Sequence, residues 1–131
     1  MSFELQEAIY DALKADVNLM AVVSDVFDNM PQDYNDWPVI TIGENIGTPF
    51  DSDSFTGNNN NFAVHIWDRD NGRKVVKEVQ ELVYQVLNRN LLTVSGYNTV
   101  DLTWTNDSTN LDPDGITYHG VSEYIAILER T

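Results

Sequence analysis

Two histidines, His65 and His119, and a large excess of carboxylates are the residues with chemistry to offer in this chain. Both histidines fall in segments read as strands, where a cross-strand contact would make them neighbours. Two imidazoles and an aspartate could bind a metal, but the ligand count and spacing fall short of a metal site, and histidines on a half-exposed sheet face are the simpler reading. The run Asp68-Arg69-Asp70-Asn71-Gly72 opens like a calcium loop. Its glycine falls at the fifth position instead of the sixth, and Val79 stands at the twelfth where a glutamate is needed. The same residues suit a sharp turn, with Asp70 or Asn71 capping a helix and Gly72 allowing the bend. Asp112-Pro113-Asp114-Gly115 is likewise a turn fixed by proline and glycine. No cysteine, no Gly-x-Ser-x-Gly and no glycine-rich phosphate loop is present. The acids are scattered, and none lies in an apolar context that would raise its pKa. The expectation is a non-enzyme, with no catalytic residue, no metal and no cofactor.

The elements that would position these residues centre on Asn61 to Leu87. Phe62 to Trp67 reads as a strand, and a helix runs from about Arg73 to Asn88. Val75, Val76, Val79, Leu82, Val83, Val86 and Leu87 recur at three- and four-residue spacing on one helix face. Such a stripe needs a sheet or a second helix to cover it. Phe3 to Ala15 reads as an amphipathic helix on Leu5, Ala8, Ile9, Ala12 and Leu13, with Ser2 as its N-cap. Leu19 to Val23 is a short helical piece, and Val26-Phe27 a brief apolar contact or short strand. Val39 to Glu44 is rich in β-branched residues and reads as the antiparallel partner of Phe62 to Trp67. Between them, Asn45 to Asn61 reads as a long polar loop at a projecting hairpin tip, of the length that is functional or disordered. Thr99 to Thr105 alternates, with Val100, Leu102 and Trp104 on one side. Asn106 to Gly115 reads as loop, and Ile116 to Leu128 as the last strand. The expected architecture is α+β: a four-stranded, mainly antiparallel sheet with two main helices packed on one face, in a single domain spanning residues 1–131.

The 131 residues carry a net charge of −14. Segment 69–89 holds five bases (Arg69, Arg73, Lys74, Lys77, Arg89) against three acids, a net +2, so the remainder nets −16. A surface this acidic repels nucleic-acid phosphates. Its acidity either keeps the chain soluble or lets the small positive face meet a negative face on a partner or a second copy. There is no apolar run of 18 residues, hence no expected membrane span, and no signal peptide is expected. The sequon Asn106-Asp107-Ser108 reads as a chance match. Tyr34, Trp37, Phe50 and Phe55 lie in expected loops, where aromatics either fold back on their own domain or mark a surface covered in an assembly.

The order and spacing of several segments resemble the tail-completion, or tail-terminator, proteins of long-tailed bacteriophages, prophages and gene-transfer particles. These segments are the opening helix Leu5 to Leu13 followed by Asp16 and Leu19, the strand Pro38 to Gly43, Val64-His65-Ile66-Trp67 with Gly72 before the helix, and the closing Asp114 to Val121. The run Gly57-Asn58-Asn59-Asn60-Asn61 departs from the pattern. The resemblance covers nearly the whole chain. It implies an α+β sandwich and a structural role in the virion tail, assembled in the host cytoplasm. It implies a ring, generally of six copies, on the last ring of the tail tube, formed by a protein that is often monomeric until it meets the tube. Partners would be the tail tube protein and a head-completion or connector protein, with DNA passing through the lumen unbound. A ring contact is head-to-tail and needs two unlike faces. Arg69, Arg73, Lys74 and Lys77 are the candidate residues for one of them. Phe50, Asp51, Asp53, Phe55 and Asn58 are the candidates for a loop touching the tube or a neighbour. The competing readings are a head-closure ring component and an acidic DNA mimic that inhibits a host enzyme.

Overall fold

A computed structural model describes residues 3–49, 51, 56–69 and 72–131, without the side chains of Glu44 and Asn45. The element order is α1 (Phe3–Ala15), α2 (Val17–Met20), β1 (Asp25–Phe27), β2 (Val39–Pro49), β3 (Gly57–Arg69), α3 (Gly72–Leu87), β4 (Tyr97–Leu111) and β5 (Thr117–Arg130). The strands form one sheet in the order β1-β2-β3-β5-β4. All neighbours are antiparallel except β1, which runs parallel to β2 through Val26 opposite Ile40.

The apolar spacing of each helix dictates its buried face. Leu5, Ile9 and Leu13 of α1, and Val76, Val79, Val83 and Leu87 of α3, are buried. They close on Ile40, Ile42, Phe62, Val64, Ile66, Leu102, Tyr124, Ala126 and Leu128 from one face of the sheet. Alternate residues point the other way, so one sheet face carries the helices and the other none. Asp16 starts α2 by accepting a hydrogen bond from the Leu19 N–H at 2.8 Å. Gly72 begins α3 at φ +71°, which glycine adopts without steric cost.

The α+β class and the helices on one face are as expected, but three expectations are corrected. Among the described residues the sheet has five strands, not four. The fifth is the three-residue β1, too short to show a period. Residues 45–61 are mostly strand: β2 runs to Pro49, β3 begins at Gly57, and only 50–56 connect them. The asparagines expected in a loop pair on both sides. Asn59 lies opposite Thr48 of β2 and Ile127 of β5. Being central, this run has both backbone edges hydrogen-bonded, and that outweighs the poor strand propensity of asparagine. The hairpin tip is therefore flanked by the end of β5. Finally, 106–111 are strand, not loop. Bulges between Thr99 and Asp101 and between Trp104 and Asn106 shift the pairing there. These bulges break the alternation that marks a strand in sequence, and they leave Val100 and Trp104 exposed. The capping roles expected of Ser2, Asp70 and Asn71 lie outside the described residues.

Candidate functional site

The cationic residues divide between two faces. Arg73, Lys74 and Lys77 lie on α3, where they edge a shallow depression with Glu78, Glu81 and Leu82. Lys77 also borders a second depression with Gln80, Asp107, Ser108 and Thr109, which places it beside the free edge of β4. The Arg73 guanidinium sits 5.5 Å from the ring centre of Tyr118. Lys74 and Lys77 are exposed and make no ion pair with the described residues. Arg69 is not with them. It lies on the helix-free face of the sheet, over Trp37 at 4.6 Å, with its Nε–H donating to Thr117 Oγ1 at 3.1 Å.

Of the expected contact loop, Phe50, Asp53 and Phe55 lie outside the described residues. Asp51 is exposed, and its Oδ1 accepts from the Gly57 N–H at 3.0 Å, joining the two ends of the connection. Asn58 is in β3, not in a loop, and its Oδ1 accepts from the buried Asn60 Nδ2. The end of this hairpin borders a polar depression shared with Tyr97 and Arg130. Two of the loop aromatics fold back on the domain. Tyr34 meets Phe27 edge-on at 4.9 Å and donates its hydroxyl to Ser24 Oγ at 2.8 Å. Trp37 donates Nε1–H to Asn35 Oδ1 at 2.9 Å and carries Arg69 on its ring.

The two histidines are neighbours on the helix-free face. His65 Nδ1 and His119 Nε2 are 2.7 Å apart. His119 stacks on Trp67 with ring centres 3.7 Å apart and planes 7° from parallel. The Trp67 Nε1–H donates to Thr41 Oγ1 at 3.0 Å. Asp112 Oδ1 lies 3.9 Å from His119 Nδ1. No group of three His, Asp or Glu side chains among the described residues is arranged to hold a metal ion. The histidine nitrogens that meet are spent on each other, and the cluster packs this face as a stacked platform.

Some charges are committed within the chain. Lys14 Nζ donates to Asp25 Oδ1 at 2.6 Å; this contact raises the lysine pKa and lowers that of the aspartate. At the β4–β5 turn, Asp114 accepts from the Thr117 hydroxyl at 2.6 Å and from the Ile116 and Thr117 N–H groups at 2.9 Å, which holds its carboxyl below the usual range. One feature escaped sequence reading: Glu7 of α1 and Asp28 after β1 line a common groove with Phe3, Gln6, Tyr10 and Ile42 at the opposite edge of the sheet.

A family model described as tail completion protein gp17 matches residues 7–129. The tail completion protein gp17 of Bacillus phage SPP1 is 27% identical over 117 residues, covering 89% of this chain and 86% of that protein. The solved structure of the bacteriophage SPP1 gp17 protein is similar with a TM-score of 0.60 at 26% identity, covering 93% of this chain and 86% of that one. A chain in the virion of a native gene transfer agent particle shares the fold with a TM-score of 0.88 at 21% identity, covering 95% of this chain and 94% of that one.

Proposed function

The chain belongs to the tail completion protein gp17 family, and on that premise we propose that it caps the bacteriophage tail tube as a ring, ends tube growth and offers the surface that joins the head. The observation that carries this reading is a family match running over residues 7–129, nearly the whole domain, together with the same fold in a chain of a virion particle. The geometry is compatible with a closed ring. Such a ring repeats one heterologous contact, so the two surfaces that meet must differ. The sheet has two unlike edges: β4 with the cationic side of α3, and β1–β2 with the acidic groove of α1. Six copies is the ring size we propose. The net charge of −14 suits a conduit through which DNA passes without adhering to the wall.

Within this reading Lys74 and Lys77 contact a neighbouring copy, and the connection 50–56 touches the tube end. The connection is short, but it leaves from the tip of a long hairpin, with strands of 11 and 13 residues. Electron microscopy of tails assembled with and without the protein tests the function. Tubes of uncontrolled length in its absence are expected, and tails of normal length that still join heads would overturn it. For the contact residues, Lys74→Glu with Lys77→Glu should abolish capping, and normal tails would remove these lysines from the interface. For the connection, replacing 51–56 by a short Gly-Ser turn spares every β2–β3 pair. It should leave the fold intact and weaken tube binding, and unchanged tail length would remove this connection from the tube contact.

A further inference from the structure

Resting on the ring reading, we propose that the groove formed by Phe3, Glu7, Tyr10, Asp28 and Ile42 receives the Lys74–Lys77 side of α3 from a second copy. Four observations converge. The groove combines apolar walls with the exposed carboxylates of Glu7 and Asp28, which make no ion pair with the described residues. The facing candidate combines Leu82 with the ammonium groups of Lys74 and Lys77, likewise without an ion pair among the described residues. Phe3 is 69% exposed, an aromatic of the kind that anchors interfaces when a partner covers it. The two surfaces lie at opposite edges of one sheet, the groove beside β1 and β2 and the lysines beside β4. Opposite edges cannot meet within one copy, but the same two edges on successive copies can, and repetition of that contact generates a ring or a helix. Unpaired opposite charges at two edges also oppose the wrong docking, since like edges repel.

The surroundings of Lys77 include Glu81 and Asp107, so Lys74 and Arg73 hold the more strongly positive end of the stripe. This places the acidic groove against the N-terminal half of α3 and its apolar wall against Leu82.

The chain has no cysteine, so introduced thiols report this contact without background. Glu7→Cys and Lys77→Cys in one chain lie on α1 and α3, and the product tells the two closures apart: a bond within one copy leaves a single-copy band, whereas a bond between copies gives a ladder. On tail tubes assembled without this protein, the double variant should give an oxidised ladder ending at a closed ring. Glu7→Lys or Lys77→Glu alone should lower the number of capped tails about tenfold, the equivalent of roughly 1.4 kcal/mol per contact. The two reversals combined should restore capping. A wild-type protein that is multimeric on the tube, with no ladder and no rescue in the variants, overturns this pairing and leaves the ring reading standing. A wild-type protein bound as a single copy overturns both.

Discussion

His65 Nδ1 and His119 Nε2 face each other at 2.7 Å across the paired strands β3 and β5, as diagonal neighbours: His65 stands opposite Val121 and His119 opposite Trp67. A contact this short needs one nitrogen to carry the proton and the other to accept it, so the two rings must present complementary tautomers at this contact. His119 is also the ring on which Trp67 stacks. His119→Ala should therefore cost about 1–3 kcal/mol, the sum of a lost stack and a lost hydrogen bond. Thermal unfolding checks it, and nitrogen-detected NMR of the wild type should show one protonated and one bare nitrogen at the contact. An unchanged Tm would mean that the platform carries no stability.

Gly120 lies under α3. A Cβ at this position would overlap Val76 Cγ1 and stand 3.0 Å from Gln80 Nε2. Gly120→Ala should destabilise by about 1–3 kcal/mol, through overpacking. The Gln80 amide sits just there, donating to Ser108 O at 2.9 Å and so tying α3 to β4. In the double variant with Val76→Ala, the cavity and the added methyl should offset each other, giving a loss smaller than the sum of the two. Strict additivity by denaturant titration would show that the two residues do not share this space.

Tyr124 is buried and stacks on Phe62 with ring centres 5.6 Å apart, while its hydroxyl has no hydrogen-bond partner among the described residues. Burial pushes its ionisation upward. Tyr124→Phe keeps the stack and removes the unpaired group, so stability should rise by about 1 kcal/mol. A lower Tm would reveal a partner for the hydroxyl.

Asp114 gives the β4–β5 turn a pH dependence of known sign. Its folded pKa lies below the usual value, chiefly through the Thr117 hydroxyl and then the two backbone N–H groups. The stabilisation is present above the ordinary carboxyl pKa of about 3.9. It is lost as pH falls through the lowered folded value. The Tm gap between wild type and Asp114→Asn should be full at neutral pH and close on acidification. A gap that persists at pH ~2 would show that the amide is a poor fit for reasons other than charge.

The helices were legible because their burial follows a period of 3.6 in Leu5, Ile9 and Leu13 and in Val76, Val79, Val83 and Leu87. The last strand was legible because Ser122, Tyr124, Ala126 and Leu128 alternate toward the core. The Asn58–Asn61 run was not, because its strand state comes from partners on both sides and not from its own side chains. The 106–111 stretch failed for a related reason: two bulges reset the alternation before it. The cationic patch was read as one surface because five bases cluster in sequence. Strand parity sends Arg69 to the helix-free face, while α3 carries Arg73, Lys74 and Lys77 on the other side. The acidic groove could not be read, since Glu7 and Asp28 meet only through the packing of α1 beside β1.

The thirteen residues of β3 run unbroken from Gly57, after the 50–56 connection, to Arg69, shortly before α3, paired along their length with β5. At about 3.3 Å per residue this is a strut of roughly 40 Å. Mechanically, it couples the two ends of the molecule in compression. If a tube end seats against the connection, thrust passes along β3 to the base of the cationic helix with little give, because shortening the strand would require breaking its ladder. In the ring proposed above, contact at one end of β3 would reach the other as a shift in position, without any change of fold.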